Sequence, residues 1–309
     1  MPFKNVASIK QVATVEGAVT GGAYNKALSA VAMVSNNPTQ VALLPLSGVN
    51  PKIQSVGLDA VTEIAYLNRA MALVKTADAV WALLDIEHKP KVEELHQDSK
   101  ALVSKSIGGM ALGLRWDGKG LEYLPGKGDV AVRDFSIRGE VKCADVGETE
   151  CYAVTDGGDG EFRIHPGSTP EQGSTAKIAM PPGSGKLDRV KGGKFFSVVY
   201  KRGNPNIVCV RRAGNRLEAK AVTMPFPPTD LVVAETSLLA LAADGRVVLF
   251  DAVAVDKATA SNIQPTWEGS IGCRGEPTVC VVAHHWLYMG TSIGEIFMGQ
   301  IVRKSALTV

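Results

Sequence analysis

Long apolar runs are missing from this 309-residue chain. None approaches the roughly 20 residues that a bilayer-spanning helix needs. Met1 to Gly17 mixes Lys4, Lys10 and Gln11 with apolar positions and has no apolar stretch of the signal-peptide kind, so no secretory leader is expected there. Cysteine is scarce. Cys143, Cys151, Cys209, Cys273 and Cys280 form an odd set with no close CxxC pair. That pattern excludes a disulfide framework and fits small apolar residues in a reducing compartment. Nor is there a strong charge imbalance. A formal net charge of +2 sets up no global field toward nucleic acid or membrane. The expectation is a soluble, intracellular and cytoplasmic protein.

What is present is a period. Glycine is abundant and scattered, 32 residues in all, which implies many tight turns between short strands. Short alternating apolar segments recur at Gln40–Leu44, Val80–Leu84, Gly120–Leu124, Gly160–Ile164, Asn206–Val210, Arg246–Phe250 and Gly294–Met298. Their starts are separated by 40, 40, 40, 46, 40 and 48 residues. A fixed period near 40 residues marks a repeat architecture. Each segment is the second half of a hairpin. Ser237 to Asp251 is the clearest case, with Asp244-Gly245 between two apolar runs. Asp-Gly there predicts a two-residue turn in which both residues take positive φ. A further short strand lies upstream of each hairpin, as at Leu231–Glu235 and Val279–Ala283. A more polar one lies downstream, as at Lys52–Val56, Val92–His96 and Arg216–Val222.

Four strands per period, with the fourth the most polar, is the pattern of a propeller blade. Inner strands packed between blades read as apolar runs, and the outermost strand meets solvent. The last period lacks a fourth strand, and a spare strand of mixed polarity, Val6–Val15, precedes the first. Together these predict an all-β fold: a single seven-bladed β-propeller whose N-terminal strand completes the last blade. The predicted limits are 1–16 for the closing strand, then 17–58, 59–100, 101–140, 141–182, 183–226, 227–272 and 273–309 for the blades. Val92 to Val103, with Glu93, Glu94, Gln97 and Lys100, is the one stretch with helix propensity. It reads either as an outer strand followed by a loop or as a short helix between blades two and three.

Ala243 to Asp251, a turn, a third strand and a terminal aromatic-Asp pair, resembles the WD-repeat-type propeller family. The resemblance spans nearly the whole chain. It departs from the family in two ways: no Trp-Asp dipeptide ends a third strand, and no Gly-His pair opens a blade.

Catalytic patterns are absent. Pro181–Lys186 has the glycines of a phosphate loop at the wrong spacing, with Met180 and Leu187 where glycine and Ser/Thr belong. Asp156–Glu161 offers three carboxylates without the alternation of a calcium loop. His284 and His285 are adjacent in a turn, so their side chains diverge and do not share one metal. No nucleophile elbow appears. The sequence therefore nominates no catalytic, metal or cofactor residue.

Charge is patterned by blade. Lys186 to Lys220 carries ten basic residues against Asp188 and Glu218, while Asp145 to Glu161 carries six acids and no Lys or Arg. Lys186, Arg189, Lys191, Lys194, Lys201, Arg202, Arg211, Arg212 and Arg216 are thus the candidate partner-binding residues. The expected function is a non-catalytic interaction scaffold, a subunit of an assembly of other proteins. Two alternatives stay open. One is an anionic-lipid or nucleic-acid binder using the basic patch, because Val210–Gly214 weakly resembles the Arg-Arg-Gly motif of phosphoinositide-binding propellers. The other is a propeller hydrolase or lactonase, which needs acids such as Asp188 and Asp230 to converge on the axis.

Overall fold

The computed structural model describes residues 3–304 except 49, 67–68, 78, 98–100, 108–109, 117–120, 126–132, 136–139, 147–150, 157–161, 168–175, 179–187, 194–195, 214–215 and 252–262. Side chains are described outside residues 95–187, with Cys143, Asp145 and Val154 added, and outside 212–217. Every regular element among the described residues is a strand. No helix there is long and apolar enough to cross a membrane.

The chain opens with β1 (Phe3–Thr14). Next come β2 (Ala18–Asn25), β3 (Ala30–Asn36), β4 (Gln40–Pro45) and β5 (Lys52–Ser55), which form one antiparallel sheet in that order. The second sheet is β6 (Glu63–Tyr66), β7 (Met71–Lys75), β8 (Ala79–Leu84) and β9 (Lys91–Gln97). The third is β10 (Ala101–Ile107), β11 (Met110–Trp116), β12 (Leu121–Pro125) and β13 (Arg133–Phe135). The fourth is β14 (Glu140–Val146), β15 (Cys151–Asp156), β16 (Phe162–Gly167) and β17 (Ala176–Ile178). The fifth is β18 (Arg189–Gly192), β19 (Phe196–Tyr200), β20 (Asn206–Ala213) and β21 (Arg216–Thr223). The sixth is β22 (Pro228–Ala234), β23 (Ser237–Ala242), β24 (Arg246–Asp251) and β25 (Trp267–Ser270). The last contains β26 (Pro277–Ala283), β27 (Trp286–Thr291) and β28 (Glu295–Arg303).

The seventh sheet takes its outer strand from the other end of the chain, in the order β1-β28-β27-β26. The pairing of β1 with β28 is antiparallel and runs from Phe3↔Arg303 to Thr14↔Glu295, with three register shifts. Beyond it, the Val15 N–H donates to Gly294 O at 2.9 Å. Gly294 sits at φ +85°, and a Cβ there would lie 2.0 Å from Val15 O, so only glycine permits this approach.

Neighbouring sheets meet through their first strands. β2 packs against β26 and β6, β6 against β10, β10 against β14, β14 against β18, β18 against β22, and β22 against β26. The apolar core lies in layers between sheets. Between the fifth and sixth, Val198, Tyr200 and Ile207 meet Leu238, Ala240 and Phe250. Between the sixth and seventh, Leu239, Leu241 and Leu249 meet Leu287 and Met289, with Phe3 and Val6 of β1 in the same cluster. Full burial of each such side chain contributes about 1.5–3 kcal/mol. Outer strands are more exposed, as the solvent-facing Ile53 and Val92 on β5 and β9 show. This is the all-β arrangement of propeller-type proteins.

One local reading resolves to its strand alternative and one changes. The Val92–Val103 stretch holds β9 and the start of β10, so its helix propensity yields to pairing with β8. At Asp244-Gly245 only the glycine has positive φ, at +85°. Its N–H donates to Ala242 O at 3.0 Å, and the Asp244 carboxylate accepts the Arg246 N–H at 3.1 Å. The turn is thus three residues long with glycine in the left-handed position.

Candidate functional site

First strands of neighbouring sheets are not paired in one ladder, and side chains join them. Threonine does this repeatedly. Thr20, Thr229 and Thr278 each sit at a register shift near the start of β2, β22 and β26. A bulge turns the extra residue out of the ladder and re-aims its side chain. The Thr278 hydroxyl donates across the seam to Val19 O at 2.6 Å, and Thr20 donates to Val61 O at 2.7 Å. Thr229 stays within its own sheet and donates to Leu241 O at 3.3 Å.

Around the innermost strands, charged groups continue the same circuit. Asp230, on β22, is buried. Its Oδ1 accepts the Tyr200 hydroxyl at 2.9 Å and lies 3.4 Å from Lys191 Nζ. Its Oδ2 accepts the Cys280 N–H at 2.9 Å. One carboxylate thereby ties together the fifth, sixth and seventh sheets. On the other side of Lys191, Asp145 of β14 accepts the Gly192 N–H at 2.6 Å. Arg189, at the start of β18, reaches Glu63 at the start of β6, with Nη1 to Oε1 at 3.3 Å. Arg202, in the turn between β19 and β20, donates from Nη2 to Thr278 O at 3.2 Å. Asp188 accepts the Arg202 N–H at 3.3 Å.

The electrostatics are one-directional. Burial acts to raise the Asp230 pKa, but Lys191, Arg202, the Cys280 N–H and the Tyr200 hydroxyl pull it below the ordinary carboxylate value. Burial acts to lower Lys191, and Asp230 and Asp145 hold it above the ordinary lysine value. Burial first, then the negative charge of Asp230, pushes Tyr200 and Cys280 well up. Asp230 and Lys191 are held charged, and the Tyr200 phenol and the Cys280 thiol are held neutral.

The fold splits the predicted basic patch. Arg189, Lys191 and Arg202 turn to the innermost strands as described. Lys201 opens the turn that carries Arg202. Arg211 lies on the outer part of the fifth sheet, exposed, with Nη2 and Nε on Glu218 Oε2 at 2.7 and 2.9 Å. Arg212 and Arg216 are on β20 and β21. Lys186 and Lys194 lie outside the described residues, as do the Pro181–Lys186 loop and residues 157–161 of the acidic turn. His284 and His285 form the exposed two-residue turn between β26 and β27. Among the described residues no group of three His, Cys, Asp or Glu side chains gathers as for a metal.

Linear reading missed Glu63, Asp145, Tyr200, Thr278 and Thr20 as partners in this network. A signal was available in Thr62, Thr229 and Thr278, which stand at or just before the start of their strands, and in Thr20.

No protein-family model and no curated protein sequence matches the chain. Solved structures do. Virginiamycin B lyase from Staphylococcus aureus superposes with a TM-score of 0.67 at 11% identity, over 96% of this chain and 99% of the lyase. A catalytically inactive histidine-to-alanine variant of that lyase, solved with quinupristin, matches at 0.66 and 11%. Raptor from Chaetomium thermophilum matches at 0.67 and 11%, over 98% of this chain and 29% of Raptor. The fold is of the propeller type. Identity this low carries the architecture and nothing of the chemistry.

Proposed function

We propose that this chain is a closed seven-bladed β-propeller of the WD-repeat type, with the blade limits given above, and that it serves as a non-catalytic interaction scaffold. On this reading it is a cytoplasmic subunit of a larger protein assembly. The observation that carries the proposal is the state of the axial groups. General acid–base catalysis needs a group poised near the working pH. Asp230, Lys191, Tyr200 and Cys280 are all shifted away from neutrality. Asp230 is also hydrogen-bonded to Tyr200 and Cys280 and ion-paired with Lys191, as a structural fastening requires.

Free thiols at Cys143, Cys209, Cys273 and Cys280 suit a reducing compartment.

Affinity purification of the tagged full-length chain from the cells that make it, followed by quantitative mass spectrometry, tests the reading. The expected result is one or more proteins recovered in near-stoichiometric amounts after nuclease and detergent treatment. Recovery of the chain alone, or of partners that vanish with nuclease or detergent, would contradict it.

A further inference from the structure

Contacts between first strands run in one circuit, from β2 through β6, β10, β14, β18, β22 and β26 back to β2. Most side-chain links join sheets that are neighbours in that circuit. The fifth sheet breaks the pattern. Its Lys191 reaches Asp230 of the adjoining sixth sheet, with Nζ to Oδ1 at 3.4 Å. Arg202, in the turn between β19 and β20, passes over the sixth sheet and donates to Thr278 O of the seventh at 3.2 Å. Arg189 reaches furthest, to Glu63 of the second sheet, with Nη1 to Oε1 at 3.3 Å.

From β18 back to β6 is three steps, through β14 and β10, and the other way round is four. Three steps is the largest separation that seven sheets in a ring allow. The third and fourth sheets fill the arc between the two residues, so a direct contact has to cross the space that the first strands enclose. The pair is a chord across the axis. Arg189 opens β18 and Glu63 opens β6, which puts the chord at one mouth of that space.

Both feet of the chord are fixed. Val61 O, two residues before Glu63, accepts the Thr20 hydroxyl at 2.7 Å, and the Gly192 N–H, three residues after Arg189, donates to Asp145 at 2.6 Å. The chord itself is open to release. Its side chains are 38% and 25% exposed, so water and salt reach it. Arg189 holds Glu63 through Nη1, and among the described residues its buried Nε has no partner. Such a contact lacks the second prong that makes arginine–carboxylate pairs strong. Glu63 is nonetheless the foremost of the negative charges that hold Arg189 above the ordinary arginine pKa, ahead of Tyr200, Asp230 and Asp188, while burial acts to lower it.

We propose that the Arg189–Glu63 pair is a strap across the axial mouth, a salt-sensitive latch that holds the second and fifth sheets at a fixed separation. With the strap closed, the arc of the third and fourth sheets cannot spread without breaking it. Released, that half of the ring opens more often, while the rest stays shut. Arg189, Lys191 and Arg202, which form a docking patch in the linear sequence, thus serve groups of their own chain. The inference rests on the closed-ring reading.

Hydrogen exchange of the full chain, read by mass spectrometry, tests the strap. Glu63→Gln keeps the shape of a half-exposed side chain and removes its charge. At low salt it is expected to speed exchange about threefold in β6 and β18 and to leave β23 unchanged. In about 1 M salt, where the screening length falls to about 3 Å, the difference from wild type is expected to vanish. In an Arg189→Gln background the same change is expected to have no further effect. An unchanged rate in β6 and β18, an equal rise in β23, an effect that survives high salt, or an equal effect without Arg189 would each overturn the strap. The salt comparison needs only wild type and Glu63→Gln, so it decides even where Arg189→Gln does not fold. Exchange in β1 separates the two levels. A protected β1 with no response to Glu63→Gln sinks the strap alone, whereas an unprotected β1 in wild type sinks the closed ring and the strap with it.

Discussion

Replacing Asp230 by asparagine should cost the protein about 3 kcal/mol of stability, read from urea unfolding at pH 7. The side chain keeps its shape but changes its hydrogen-bonding pattern. As a carboxylate it accepts the Tyr200 hydroxyl on one oxygen and the Cys280 N–H on the other, with Lys191 alongside. An amide offers one acceptor oxygen, so its NH2 must face a donor on one side or the other. Lys191 loses the larger of its two counter-charges and keeps only Asp145. It is partly open to solvent and can recruit water, which places the expected cost at the lower end of the range for a broken buried pair.

The pH dependence follows from the direction of the shift. The folded-state pKa of Asp230 lies below its unfolded value. Its contribution is therefore fully present above the ordinary carboxylate value of about 3.9, and it fades as the pH falls through the folded value. The stability gap between wild type and Asp230→Asn should accordingly be widest at neutral pH and narrow below about pH 4. Asp188→Asn keeps an acceptor oxygen for the Arg202 N–H and removes only an exposed charge, so it should cost less than about 1 kcal/mol. Equal costs for the two variants would mean that the axial network carries no special load.

The second large effect concerns the seam. Deleting residues 1–14 removes β1, and with it two side chains that are almost fully buried, Phe3 and Val6. Burial of the pair contributes about 3–6 kcal/mol. The deletion also removes the Phe3 N–H bond to Ser237 Oγ at 2.9 Å and the Arg303 guanidinium stacked 5.4 Å over the Phe3 ring. The truncated chain should melt about 10 °C lower by calorimetry. It should also self-associate in sedimentation, because β28 then presents an unpaired edge. An unchanged melting temperature and a monomeric truncated chain would show that β1 is dispensable.

Much of the architecture was legible because it is local. Alternation, Gly-rich turns and a 40-residue spacing sit within a few residues of one another, and the third strand of each sheet falls where the period places it. The spare N-terminal strand was legible as an unpaired element with the last repeat one strand short, and β1 pairs with β28. The site was far less legible. Arg189 and Arg211 are close in sequence and look like one patch, yet one opens an innermost strand and the other lies on a third strand toward the rim. Conversely, Arg189 meets Glu63 across 126 residues of sequence, a distance over which no local pattern reports. Asp230 was noticed only as a scattered acid. Its role depends on Tyr200, Lys191 and Cys280, which three different strands supply.

The ring closed by its own N-terminus is the claim on which the scaffold reading stands, and native-state hydrogen exchange of the full chain tests it most directly. Amides of Asn5 to Thr14 in β1 should exchange slowly, within about tenfold of those in β26 and β27, because seam and blade open together. Fast, unprotected exchange across β1, with β26 and β27 still protected, would mean that the ring is open at this seam.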